Sequence, residues 1–390
     1  MRVAIAGGGI GGITAALCLA KQGFECTVFE QADAFTEAGA GIQLSPNCSR
    51  VLHHVGLEGA LQDRAFKPQA TRFRHWRSGQ VITESALGDT AAEHYGAPYY
   101  HVHRGDLLDM LLIAARSQDL VQLNTQAQLS SVEPHPDHAE FSVGGQRLKA
   151  DVLVGADGIH STVRANLWGE QQPRFTGNVA WRALVPVERL PRSLQDPVGS
   201  VWWGPGRHFV HYFVRGGTFM NCVCVVEKTG WQVESWTERG DKAELEADFA
   251  GWHDDIAALI DAADADSLYK WALFDRPPMS QWGRGRVTLL GDACHPTLPF
   301  MAQGAAMAIE DAAVLASALK DSDNVAHALS RYEAARKART AFVQNGSRRN
   351  ARVFHLSGIK AWLRNRAAGR AGGSTFAKLY RYDPFQALNA

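Results

Sequence analysis

Asp292 follows the apolar run Gly285 to Leu290. After it come a proline-containing loop and an Ala-rich stretch with no breaker until Asp321. An acid at a strand end, a loop and a small-residue helix start make one unit, and the helix N-terminus offers unpaired N–H groups and positive dipole. Gly304 and Ala305 stand at that start, where a cofactor that becomes negatively charged during turnover would be stabilised. Near the front of the chain, Gly7, Gly9 and Gly12 satisfy G-x-G-x-x-G within Gly7-Gly8-Gly9-Ile10-Gly11-Gly12. A second acid, Asp157, precedes Gly158 just past the buried run Lys149 to Val154.

Elements that must position these groups can be read around them. Arg2 to Ala6 is a strand, Ile13 to Gln22 a helix, and Glu25 to Glu30 a second strand whose terminal acid lies 18 residues beyond Gly12. That is a dinucleotide fingerprint in context. Gly7 permits the tight turn, Gly9 lets pyrophosphate approach the backbone, and Gly12 lets the helix pack on the strand, so Gly9, Ile10, Gly11 and Gly12 meet the cofactor. Glu30 can accept both hydroxyls of its ribose. The fingerprint alone leaves FAD and NAD open, and no second copy follows a strand elsewhere. In a doubly wound sheet, ligands bind at the carboxyl ends of the strands. Glycine-and-acid features at three such ends argue for one extended ligand touching all three. The alternative for Asp157 and Asp292 is a helix cap. The small-residue loop Ala38 to Leu44 lets backbone approach a flat ring at Gly41, and Arg104 opens an amphipathic helix running to Ala115.

Residues 176–275 differ in kind. Short β runs separated by Gly and Pro, with a turn at Arg215-Gly216-Gly217-Thr218, predict an antiparallel sheet. In His208-Phe209-Val210-His211-Tyr212-Phe213, strand alternation puts His208, Val210 and Tyr212 on one face and Phe209, His211 and Phe213 on the other. A His and a Tyr over a ring-sized cavity can bond a phenol and take its proton. A one-residue slip would substitute His211. Phe209, Phe213 and Phe300 are candidates for excluding water, with core packing the alternative.

At 390 residues the chain has room for two domains, and 40 basic against 40 acidic residues argue against a nucleic-acid binder. Six scattered cysteines without CxxC give no metal site and fit a reducing cytoplasm. The apolar start runs straight into glycines, so no signal peptide is expected, and no apolar run is long enough to span a membrane. Residues 346–382 carry nine Lys or Arg and no acid. They read as a helical tail packing on the first domain or on a second subunit, with a turn or break at the Gly and Ala of 367–373.

Gly7 to Gly12, Asp157-Gly158 and Gly291-Asp292, in this order and spacing, resemble the single-component (class A) FAD-dependent aromatic hydroxylases of the para-hydroxybenzoate hydroxylase type. The resemblance runs from Met1 to about residue 340. Gly39 to Leu44, His103-Arg104, Ile159-His160-Ser161, Trp202 to Gly217 and Met301 to Asp311 look most like the salicylate and 3-hydroxybenzoate hydroxylase branch. It implies an α/β fold: a Rossmann-like FAD domain (1–70, 99–175, 280–345), an inserted antiparallel β-sheet substrate domain (71–98, 176–279) and a C-terminal helical tail (346–390).

By the same resemblance, Glu30 binds the FAD ribose and Arg104 lies along the cofactor. Asp157 lies near the pyrophosphate and helps nicotinamide reduce the flavin. Asp292 holds the ribityl or pyrophosphate part, Gly304 and Ala305 face the pyrimidine edge, and Pro299 sits where oxygen adds. The implied reaction is hydroxylation of a small phenolic acid of salicylate or 3-hydroxybenzoate type, using oxygen and NADH or NADPH (NADH favoured) through a flavin C4a-hydroperoxide. A 6-hydroxynicotinate-type pyridine, another larger aromatic ring, or epoxidation is the alternative. The protein is expected to be a cytoplasmic monomer or homodimer. Phe213 and Pro299 depart from residues common in the branch.

Overall fold

Arg2–Ala6 is buried from Val3 onward, as a central strand covered on both faces requires. In the computed structural model, residues 1–36, 40–233 and 238–389 are described, without the side chains of 369–375. Ala38 and Gly39, the start of the small-residue loop read above, lie outside that set. The first strand pairs in parallel with Val152–Gly155 on one side and Glu25–Phe29 on the other. Among the described residues the sheet has six strands, with Val121–Asn124 at one edge and Val287–Leu289 then Gly283–Arg284 at the other. Ala6 is level with Gly155, and Gly155 with Leu289. Three neighbouring parallel strands therefore deliver Gly7, Asp157 and Asp292 to one sheet edge.

The glycine turn works by steric exclusion. Gly7 has φ +103°, and a Cβ there would stand 2.4 Å from the Ala156 carbonyl oxygen. A Cβ on Gly12 would stand 2.0 Å from the Gly7 oxygen, so that glycine lets the helix Ile10–Ala20 close onto the turn. Every residue of this helix except Gly11 is buried.

The run Lys149 to Val154 is two strands rather than one. Gln146–Ala150 pairs antiparallel with Ala139–Val143, while Val152–Gly155 joins the central sheet. The change of partner falls at Asp151, which accepts the Arg2 N–H at 2.7 Å.

The second large sheet has seven strands among the described residues. Their order is Tyr269–Asp275, Arg174–Pro186, Phe219–Glu227, Arg207–Val214, Val198–Gly204, Ala70–His75 and Val81–Ala86. The expectation of a wholly antiparallel sheet needs one correction: Ala70–His75 runs parallel to Val198–Gly204. A parallel neighbour requires a long crossover rather than a hairpin, and here the chain passes through the first sheet between the two strands. Trp181, Trp202, Phe209 and Phe213 pack on the outer face with Phe249 and Ile256. Phe73, Trp203, Trp271, Phe300 and Phe354 pack on the inner face.

The C-terminal portion also differs from the sequence reading. Val325–Phe354 is one helix, so a boundary at 345/346 falls inside it, and Gly358–Tyr380 is continuous through the Gly and Ala residues of 367–373. No described helix is long and apolar enough to cross a membrane.

Candidate active site

A single cavity of about 1320 Å³ collects most of the residues singled out in the sequence. Pockets for drug-sized ligands hold roughly 300–1,000 Å³, so this one accommodates a dinucleotide together with a small ring. Gly9, Ile10, Gly11, Glu30, Gly41, Arg104, Asp157, Asp292, Pro299, Gly304, Ala305, His208 and Tyr212 all line it. Gly12 does not, because it is spent on the contact with Gly7.

The glycine turn fixes Glu30, whose carboxylate accepts N–H groups from Gly8 at 2.7 Å and Ala32 at 3.0 Å. Asp157 caps the helix Thr162–Trp168 by accepting the Val163 N–H at 3.0 Å through Oδ2. Its Oδ1 is buried and has no hydrogen-bond partner among the described residues. Burial raises its pKa against the opposing Ser161 and Val163 bonds. A cap and a ligand contact are thus compatible in one carboxylate. Arg164 ties this loop to the next, donating to the carbonyls of Ile159 at 2.6 Å and Ala293 at 2.7 Å. The Arg104 N–H donates to the Ala40 carbonyl at 2.7 Å, where its helix Arg104–Arg116 begins.

A buried polar assembly holds the loop 291–304. Asp311 accepts from the Gly291 N–H at 3.0 Å and meets His295 Nε2 at 2.5 Å and Arg336 Nε at 2.7 Å. Arg336 also pairs with Glu310 at 2.6 Å, as does Arg339. Asn47 Nδ2 bridges Glu310 at 2.6 Å and Gln303 at 3.0 Å, and Gln303 donates to Ser45 at 2.9 Å. From the long helix, Gln344 donates to the Pro296 carbonyl at 3.0 Å and Asn350 to the Phe300 carbonyl at 3.1 Å. Pro299 opens a single turn, Pro299–Met301, that ends on Ala302 at φ +52°. The helix Gly304–Lys320 follows, and the Met307 N–H donates back to the Gln303 carbonyl at 2.8 Å. Helix geometry leaves the N–H groups of its first turn without intrahelical acceptors, and Gly304 and Ala305 carry two of them into the cavity wall. These donors, the glycine turn and the Asp157 oxygen fit a flavin dinucleotide.

The opposite wall is the inner face of the seven-stranded sheet. His208, Val210 and Tyr212 line the cavity. His211 lies on the other face with Trp202 and Arg74. Phe209 and Phe213 pack in the outer core and do not exclude water from the cavity; Phe300 does line it. Burial and the neighbouring His355 ring hold His208 well below the usual imidazole range. Burial pushes the Tyr212 phenol up in spite of the Arg182 charge, so Tyr212 is a neutral donor.

Several lining groups carried no readable signal in the sequence. Arg182 stacks over Trp271 at 4.3 Å. Trp203 packs on Phe73 and Phe354. Leu363, Arg364 and Phe376 come from the last helix.

A parallel-sheet dinucleotide fold joined to an aromatic-lined cavity under a second sheet defines a flavoprotein monooxygenase acting on aromatic rings. Residues 1–347 match the FAD binding domain family, and the chain belongs to it as an FAD-dependent, class A aromatic hydroxylase. It is 41% identical over 389 residues to 3-amino-4-hydroxybenzoate 2-monooxygenase PtnB3 of Streptomyces platensis, covering 98% of this chain and 96% of that protein. It is 39% identical over 366 residues to 6-hydroxynicotinate 3-monooxygenase of Bordetella bronchiseptica, covering 93% and 92%. A salicylate hydroxylase substrate complex shares its fold with a TM-score of 0.84 at 23% identity, covering 100% of this chain and 97% of that one.

Proposed function

We propose that this enzyme hydroxylates a small aromatic acid bearing a ring hydroxyl, with NADH as reductant, and that His208 and Tyr212 hold and activate the ring. The observation that carries this reading is that both side chains line the same cavity as Pro299 and the Gly304 helix start. Gly9 to Gly11, Glu30, Arg104, Asp157 and Asp292 would hold FAD, with Gly304 and Ala305 at its pyrimidine edge. When bound, FAD supplies the electron transfer and the oxygen activation.

The protein's own contribution is orientation, dryness and proton handling. His208 is buried and neutral, so it is available to take a hydroxyl proton and leave an electron-rich ring. Tyr212 donates to a carboxylate or carbonyl of the same ring, and the charge of Arg182 favours an anionic substituent nearby. Phe300, Phe354 and Trp203 close the apolar surround. A hydroxypyridine acid meets the same requirements, and the relationship to 6-hydroxynicotinate 3-monooxygenase favours including it.

The test is NADH and NADPH oxidation by the yellow holoenzyme with salicylate, 3-hydroxybenzoate, 4-hydroxybenzoate, 3-amino-4-hydroxybenzoate and 6-hydroxynicotinate, with mass analysis of products. Stimulation of NADH oxidation by one acid, with formation of its hydroxylated product, is the expected result. A holoenzyme indifferent to all five would overturn the small-acid reading.

A further inference from the structure

His208 does not stand alone behind the cavity. Its Nδ1 lies 2.8 Å from Nε2 of His355, and Nδ1 of His355 lies 2.8 Å from Oε1 of Glu227. His208 and His355 are buried, whereas the Glu227 side chain is 57% exposed. The string therefore begins at the cavity wall and ends in water. Its geometry is fixed by backbone on both sides. The Gly206 N–H donates to the His355 carbonyl at 3.1 Å, and the Glu227 N–H donates to the Gly206 carbonyl at 3.0 Å.

We propose that His208, His355 and Glu227 form a proton path that carries the substrate hydroxyl proton from the cavity to solvent. This rests on the reading of His208 as the group facing that hydroxyl. An ionised Glu227 is acceptor only, so His355 carries its proton on Nδ1 and accepts at Nε2. His208 must then carry its own proton on Nδ1, which leaves its Nε2 lone pair as the basic atom of the ring. The transfer balances. As the substrate O–H breaks, Nε2 of His208 gains the proton. The His208 Nδ1 proton passes to Nε2 of His355, the His355 Nδ1 proton passes to Glu227, and Glu227 releases a proton to water. One proton leaves, the ring keeps an oxyanion, and no electrons change hands. Reprotonation of the product oxygen runs the path backwards and restores both tautomers.

The surroundings suit passage rather than storage of charge. Burial disfavours a lasting imidazolium on His208, with His355 adding to that effect. Burial also lowers the His355 pKa; Glu227 opposes this, while Arg364 of the last helix and Arg207 at the head of the adjoining strand add to it. Phe300 and Phe354 pack edge-on against the His208 ring. His355 and Glu227 are positioning residues in this scheme, since neither touches the ring being hydroxylated.

The test mixes holoenzyme with 3-hydroxybenzoate in weak buffer containing phenol red and times proton release by stopped flow. His355→Gln keeps an acceptor for the His208 N–H but cannot relay a proton. It is expected to slow release about tenfold or more, with ligand affinity unchanged within about twofold. Glu227→Gln is expected to slow it only about threefold, because water reaches that end. Wild-type release in His355→Gln together with loss in His208→Gln would overturn the path and leave His208 as the base. Wild-type release in His208→Gln would overturn the reading of the base itself. A second measurement needs no ligand: nitrogen NMR of the two histidines in resting holoenzyme. Nδ1–H tautomers on both rings are expected, and an Nε2–H tautomer on either overturns the proposal.

Discussion

Behind the loop 291–304, His295 meets an ionised Asp311 inside a set of buried charges; on the inner face of the second sheet, the His208 Nδ1 meets another imidazole. The first cluster is closed. Burial alone would raise the Asp311 pKa, but His295 and Arg336 hold it down to about 2. The second is open at its far end, where Glu227 reaches water. The same residue type serves as a fixed strut in one place and a movable proton site in the other, and the partner decides which. Paired charges in low dielectric hold a loop still. A neutral pair carries no such penalty and can change state.

The comparison is broken most severely at Arg336. Replacing it with Met leaves Glu310 and Asp311 buried without their shared cation, and a loss of about 3–5 kcal/mol of stability is expected, read by urea denaturation of the holoenzyme. His208→Gln should spare folding and FAD content while lowering kcat about 100-fold or more, measured by product formation with the selected acid.

Acidification separates the two regions along the pH axis. Burial lowers His101 and His211 to about 3, and His208 also lies below its ordinary value. For each, the unfolded chain binds more protons, so stability falls as pH drops below about 6.5, by about 2 kcal/mol per histidine at pH 5. Asp311 has the usual carboxylate sign: its contribution is present above about pH 4 and is lost as pH falls towards 2. Denaturant midpoints at pH 7 and pH 5 should therefore differ, and His211→Phe should reduce that difference. The smallest expected change is at Ala302, whose left-handed backbone costs a side-chain-bearing residue strain. Ala302→Gly should raise stability by about 0.5 kcal/mol, seen as a small shift in thermal midpoint.

What was legible in the sequence was what short-range pattern encodes. Strand, glycine turn, helix and acid around Gly7 and Glu30 are contiguous, and the strands before Asp157 and Asp292 are buried apolar runs that join the same parallel sheet. Period-2 alternation assigned His208 and Tyr212 to one face. His355 was not legible, because 147 residues separate it from His208 and nothing local marks such a pairing. The parallel junction of Ala70–His75 with Val198–Gly204 was hidden for the same reason. The helix across 367–373 was missed because glycine was weighed by its propensity alone. Asp157 was posed as either a cap or a cofactor contact, and its two carboxylate oxygens have different surroundings.

The last helix, Gly358–Tyr380, supplies Leu363, Phe376 and Tyr380 to the cavity wall. During synthesis, the glycine turn and the strands Arg2–Ala6, Glu25–Phe29 and Val152–Gly155 emerge from the ribosome long before that wall exists, and Val287–Leu289 with the Gly304 helix also precede it. N-terminal parts of a chain begin to fold first, so flavin can be captured by a nascent chain whose reaction chamber is still open on one side. Chemistry that needs dryness must then wait until residue 380 has cleared the exit tunnel and its helix has docked, which makes chamber closure a late step of biogenesis.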